Sequence, residues 1–67
     1  MRINVSPLEL ERLRASGQVR LELVTTVDFK VSEIIVLVNH MDNNDDEPVR
    51  IIDVDTDERR TILTVEK

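Results

Sequence analysis

Cysteine is absent from this 67-residue chain, and glycine, histidine and an aromatic residue occur once each. Without cysteine the chain has no disulfide and no thiolate zinc site. A single glycine excludes the glycine-rich phosphate loops of P-loop and dinucleotide-binding proteins. Phe29 is the only aromatic side chain, so the sequence disfavours binding of single-stranded nucleic acid by base stacking.

Long apolar runs are also missing. No stretch approaches the roughly 20 apolar residues of a membrane-spanning helix, and the first residues lack the apolar region of a secretory signal. We therefore expect a cytoplasmic protein without membrane attachment. The length fits one domain over residues 1–67. So short a chain buries only about 60% of its surface, so we expect a homodimer to add stability.

The clearest local signals lie in residues 4–17. Ser6 with Glu9 three residues later forms a capping box, and Pro7 suits the first helical position. Gly17 stands where a left-handed C-terminal cap belongs. The pattern predicts a helix from about Pro7 to Ser16, with Leu10 and Leu13 on its buried face.

After Gly17 the apolar period becomes two, which is typical of strands. The predicted strands cover residues 18–27, 33–40, 48–54 and 59–67, and residues 2–5 form a short first strand. The strand after Glu33 is apolar on both faces. Ile35 and Leu37, with Val24 and Val27, exceed what one helix can cover, which again predicts self-association. The fold class is α+β: one N-terminal helix and a small, curved, mainly antiparallel sheet or partly open barrel, in the order β-α-β-β-β-β.

Negative charge is concentrated in one segment. Residues 42–58 hold eight acids and one base, a net of −7, although the whole chain carries only −5. We expect these acids at one end of the molecule, with residues 42–47 in a loop. Such a surface repels phosphate backbones and attracts cations or basic surfaces. The candidate acidic face comprises Asp42, Asp45, Asp46, Glu47, Asp53, Asp55, Asp57 and Glu58.

These acids have three interpretations. Residues 53–64 begin like a calcium loop but carry Glu58 where glycine is required and Thr64 where a bidentate glutamate is required. Asp42, Asn44 and Asp46 could converge on one divalent cation. The simplest interpretation is a solvated loop and hairpin tip. We predict no metal and no cofactor.

A second pattern concerns the spacing of the acids along a strand. Asp53, Asp55 and Asp57 share the parity of Ile51, so they should project from the face opposite Ile52, about 7 Å apart. That spacing is comparable to that of phosphates along a nucleic-acid strand. It is consistent with a nucleic-acid mimic, or with charge that protects an edge strand from aggregation.

The remaining polar residues suggest binding rather than catalysis. His40 lacks an orienting partner in the sequence other than Asp42, and no nucleophile–histidine–acid order is present. We therefore expect a protein that is not an enzyme. The candidate basic patch, a possible phosphate contact, comprises Arg12, Arg14, Arg20 and Lys30.

Residues 10–37 resemble the core of the ASCH group of the PUA-like superfamily. The matches are Ser16-Gly17, Glu22, Phe29-Lys30-Val31 and Ile34 to Leu37. The resemblance implies a small PUA-like barrel with a nucleotide- or RNA-related ancestry. Ser32-Glu33 replaces a Gly-Asp pair, Val19 replaces a lysine that serves hydrolysis in some members, and Val24 replaces an arginine.

Three functions therefore remain open. The first is a non-enzymatic binding or regulatory module that acts through a protein partner or a weak RNA or nucleotide contact. The second is an acidic inhibitor, conceivably phage-encoded, that occupies a basic groove on its target. The third is a small hydrolase acting on a nucleobase, which we expect least because it needs a water-excluding pocket with positioned acid and base groups.

Overall fold

The computed structural model describes residues 1–24 and 28–67. The five strands form one mixed sheet that is strongly curled into a half-barrel, which confirms the predicted fold class and element order. In chain order the elements are β1 (Arg2–Val5), α1 (Pro7–Ser16), β2 (Gln18–Leu23), β3 (Ile34–Asn39), β4 (Asp42–Thr56) and β5 (Thr61–Glu66).

Both ends of α1 follow the predicted local signals. Ser6 is extended, and its hydroxyl oxygen accepts a hydrogen bond from the backbone N–H of Glu9 at 3.3 Å. Gly17 is left-handed with φ 84°, and its N–H donates to the carbonyl oxygen of Leu13 at 2.7 Å. A Cβ on Gly17 would meet no atom within 4 Å, so glycine is favoured there by backbone conformation and not by space.

The sheet order is β1-β3-β4-β5-β2, which makes β1 and β2 the edge strands. β1 runs parallel to β3, and the other neighbours are antiparallel. The parallel pair requires a crossover, which α1 and β2 provide. As a result β3 has a paired neighbour on each side, as its apolar sequence predicts.

One core lies between α1 and the inner face of the sheet. Leu10 and Leu13 of α1 are buried there together with Ile35 and Leu37 of β3. The expectation that Ile35 and Leu37 are too many for one helix to cover was wrong, since they are only 1% and 0% exposed. Val24 is exposed, and Val27 lies outside the described residues.

The opposite face of β3, which we call the outer face of the sheet, is open at Ile34 but not at Val38, which is only 3% exposed. Ile34, whose register partner is Arg50, is 61% exposed there. Arg20 and Glu22 of β2 are also exposed, whereas Leu21 between them is buried. The outer face is therefore the accessible side of the sheet.

The hairpin between β3 and β4 turns much more tightly than predicted. Residues 42–47 belong to β4 and not to a loop, because the chain reverses at His40 and Met41. Asn39 closes the turn: its Oδ1 accepts a hydrogen bond from the backbone N–H of Met41 at 2.8 Å. An asparagine side chain can close a turn in this way without glycine or proline.

A bulge in β4 changes which side chains share a face. Ile51 pairs with Val65 and Asp53 with Thr64, so Ile52 is an extra residue without a partner in β5. Ile51 is fully buried, whereas Asp53 and Asp55 are exposed. The prediction that Ile51 shares their face was therefore wrong, because strict alternation fails at a bulge.

In residues 1–24 and 28–67, no helix combines the length and apolar character needed to cross a bilayer.

Candidate binding surface

The acids of β4 and the following turn form two groups and not one. Five residues of β4 lie between Glu47 and Asp53, and these six residue steps correspond to roughly 20 Å along the strand. The prediction that all of them gather at one end of the molecule was wrong, because the supposed loop is part of one long strand. We call Asp42, Asp45, Asp46 and Glu47 the proximal acids, and Asp53, Asp55, Asp57 and Glu58 the distal acids.

Arginines neutralise most of the proximal acids. Nη2 of Arg14 on α1 lies 2.8 Å from Oδ1 of Asp45, and its Nε lies 3.2 Å from Oε1 of Glu47. Arg2 of β1 lies 3.3 Å from Asp46. These contacts tie α1 and β1 to the β3–β4 hairpin, so the proximal acids have a structural role.

Asp45 is the centre of this network. Its second oxygen, Oδ2, accepts a hydrogen bond from Nδ2 of the buried Asn39 at 3.1 Å. Hydrogen bonds from Arg14 and from Asn39 lower the pKa of Asp45, because both favour the charged carboxylate. The side chain of Asn39 therefore makes one hydrogen bond within the turn, from Met41, and one to Asp45, the partner of Arg14.

Asp57 is not part of the predicted row of acids along β4. β4 ends at Thr56, and Asp57 lies in the turn before β5. Its Oδ1 accepts hydrogen bonds from the backbone N–H groups of Arg59 and Arg60 at 2.8 and 3.0 Å, and these bonds lower its pKa. Its carboxylate organises the hairpin turn.

Glu58 lies exposed in the turn after β4 and has no ion pair among the described residues. Asp53 and Asp55 also lack ion pairs there, but they lie on a strand. Both are exposed on the outer face, where Asp53 lies opposite Thr64 and Asp55 opposite Ile62 of β5. Among the described residues, neither carboxylate has an ion-pair partner. The pair is therefore available to a ligand, and the half-buried Ile62 beside it adds an apolar contact.

Of the four candidate basic residues, Arg14 already has acidic partners within the molecule. Arg14 is bonded to proximal acids, so it belongs to the same network as Asp45 and Glu47. Arg12 on α1, Arg20 on the outer face of β2 and Lys30 before the β3 strand are exposed. The sequence could not identify the pairing of Arg14, because 31 residues separate it from Asp45.

The histidine and the suggested cation site have other local partners. Nδ1 of His40 lies 3.0 Å from the carbonyl oxygen of Val5, and not against Asp42. Asp42 accepts a hydrogen bond from the backbone N–H of Asn44 at 3.0 Å, and Asp46 is paired with Arg2. Within the described part of the chain, no three acidic, histidine or cysteine side chains form a group suited to a metal.

The arrangement defines a small half-barrel with an open outer face, on which two carboxylates are unpaired among the described residues. Asn39 is the residue that sequence reasoning missed, although an asparagine at the end of an apolar strand is a recognised turn signal. No protein-family description, no curated protein and no solved structure matches this chain.

Proposed function

We propose that this protein is a small non-enzymatic binding module whose outer face binds a positively charged surface of a protein partner. Asp53 and Asp55 supply the charge, and Ile62 supplies apolar contact between them and β2. The observation that carries the proposal is the contrast between the two acid groups. Three proximal acids are paired with arginines, whereas Asp53 and Asp55 are exposed and unpaired among the described residues.

Asp53 and Asp55 suit recognition of a basic partner because they have no ion pair to break among the described residues. Paired carboxylates such as Asp45 and Glu47 would have to leave Arg14 before they could bind another cation. Asp53 and Asp55 make no such exchange, so an incoming lysine or arginine gains their full attraction. Their position on a strand also fixes their spacing at about 7 Å.

An acidic inhibitor that mimics nucleic acid is the second candidate, and the same spacing favours it. The mimicking row is short, because it consists of Asp53 and Asp55 once Asp57 is placed in the turn. Binding of RNA through the basic patch has less support, since Arg14 is bonded to acids. The ASCH-like resemblance is compatible with either binding function as ancestry.

Anisotropy titrations with a labelled nine-arginine peptide and a labelled single-stranded RNA test the proposal. We expect the peptide to bind, more weakly as salt rises, and the double variant Asp53→Asn/Asp55→Asn to lose about tenfold in affinity, which corresponds to about 1.4 kcal/mol. The matched control is Glu11→Gln/Asp28→Asn, which removes the same net charge from exposed positions elsewhere.

Equal losses in both double variants would contradict the proposal, since they would reflect net charge alone. RNA binding that falls in Arg12→Ala/Arg20→Ala would instead favour the basic patch. If the peptide binds through Asp53 and Asp55 and a basic nucleic-acid-binding protein is then blocked from its duplex, the inhibitor function gains support.

A further inference from the structure

One more charge without an ion-pair partner among the described residues lies on the outer face. Arg20 of β2 is opposite Thr64 of β5, and Thr64 is opposite Asp53 of β4. Asp53, Thr64 and Arg20 therefore form one row across three strands. Asp53 and Arg20 are two strand spacings apart, roughly 10 Å, and the ion pairs of the described residues include neither.

This row is self-complementary under a two-fold rotation. A two-fold axis running along β5 in the plane of the outer face places β4 of one copy over β2 of the other. Asp53 of each copy then meets Arg20 of the other, as an isologous interface requires. Ile62 lies two residues before Thr64 on the same face of β5, and it meets Ile62 of the other copy beside the axis.

The neighbouring row partly opposes this arrangement. Asp55 and Glu22 lie on either side of Ile62, so the same rotation brings Asp55 of one copy towards Glu22 of the other. Glu22 is already paired with Arg60, whose Nη1 lies 2.9 Å from its Oε1. Arg60 also lies 3.5 Å from Asp57, so Asp55 meets a carboxylate whose charge is only partly compensated, and this contact weakens the dimer.

We infer that a second copy of this chain docks on the outer face, with each Asp53 paired to the other copy's Arg20 across an axis along β5. The inference rests on the proposed function, because it names a partner for the same carboxylates. It also gives a different reason for expecting a homodimer, since Ile35 and Leu37 are buried in the core of a single copy. The curl of the sheet limits the contact to a strip along β5, so the dimer is weak.

Sedimentation equilibrium with charge-reversed variants tests the arrangement. Wild-type protein forms a dimer whose population rises with concentration. Arg20→Asp and Asp53→Arg are each monomeric, because each places like charges at both contacts. An equimolar mixture of the two variants restores the dimer, because every contact then joins opposite charges. Arg12→Asp, a reversal at an exposed position on α1, leaves the dimer unchanged.

Three results would overturn the inference: a monomeric wild type at millimolar concentration, single variants that dimerise like the wild type, or a mixture that stays monomeric. Far-UV dichroism of each variant confirms that it is folded before its mass is interpreted. A monomeric wild type that still binds the arginine peptide through Asp53 and Asp55 rejects only the second copy as partner. A dimer that behaves as described while the peptide fails to bind rejects only the broader function.

Discussion

Ser32 carries the least favourable backbone conformation outside glycine among the described residues. Its φ is 78°, close to the 84° of Gly17. The turn is held in place because the N–H of Ser32 donates to the carbonyl oxygen of Ile51 at 2.7 Å and Ile51 donates to that of Glu33 at 2.9 Å. At a positive φ the Cβ of any residue other than glycine lies too close to the following carbonyl oxygen, which destabilises the turn.

Ser32→Gly should therefore raise the free energy of unfolding by about 1 kcal/mol, measured by urea denaturation. Ser32→Ala should give no gain, because alanine keeps the Cβ. Gly17→Ala is the reverse control and should lose about 1 kcal/mol. A glycine variant less stable than the wild type would mean that the turn is not strained.

Asp45 links stability to pH. Its pKa is lowered in the folded state by Arg14 and Asn39, so its charged form stabilises the fold above the ordinary aspartate pKa of about 3.9. That contribution is lost as the pH falls through the lower, folded pKa. Asp45→Asn should be less stable than the wild type at pH 7, and the difference should shrink below pH 4, in denaturation curves.

The control for this pH effect is Asp53→Asn, which removes an exposed carboxylate without an ion pair in the described part of the chain. It should change stability at pH 7 less than Asp45→Asn does. Identical pH profiles for the two variants would show that Arg14 and Asn39 do not stabilise the charge of Asp45.

At the scale of elements, α1 is attached to the sheet through a narrow apolar stripe. Leu13 is fully buried in the core, whereas Leu8 on the same helix is 53% exposed. Leu13→Ala should lower the free energy of unfolding by about 2–5 kcal/mol, because it leaves a cavity beneath the helix. Leu8→Ala, the matched control, should change it by less than about 0.5 kcal/mol. Similar losses at both positions, in urea titrations, would contradict the packing of α1.

The bulge in β4 determines which single-residue deletions the fold should tolerate. Removing Ile52 restores strict alternation, with Ile51 and Val54 facing the core and Asp53 and Asp55 outside, so this deletion variant should fold. Removing Val54 instead moves Asp55 to a core-facing position and should abolish folding. Thermal denaturation followed by far-UV dichroism checks both, and an unfolded Ile52 deletion would contradict the register.

Local signals explain why the elements were largely predictable. The cap at Ser6, the left-handed Gly17 and the two-residue period after it each act within a few residues of chain, and each predicted element is present. The failures came from interactions that no short window contains. Residues 42–47 belong to β4, with a register shift against β3 between Asp42 and Asp46, and the unpaired Ile52 shifts the alternation of that strand. The pairing of Arg14 with Asp45 likewise depends on the tertiary fold.

For the molecule as a whole, the positions of the carboxylates determine what a partner can contact more than the net charge of −5 does. Arginines from α1 and β1 pair with three of the four proximal acids and link these elements to β4. Asp57 stabilises its own turn. Asp53 and Asp55 remain as exposed charges on the outer face, so the sequence places more carboxylates in the chain than the folded surface offers to a partner.

Chemical-shift mapping with a basic peptide is the most direct measurement of this difference. Titration of the nine-arginine peptide into isotopically labelled protein should shift the amide signals of Asp53, Asp55, Ile62 and Thr64 on the outer face. The signals of Asp45, Glu47 and the residues of α1 should move little. Shifts centred on Asp45 and Glu47, or spread equally over all the acids, would contradict the proposal that the unpaired carboxylates of β4 form the binding surface.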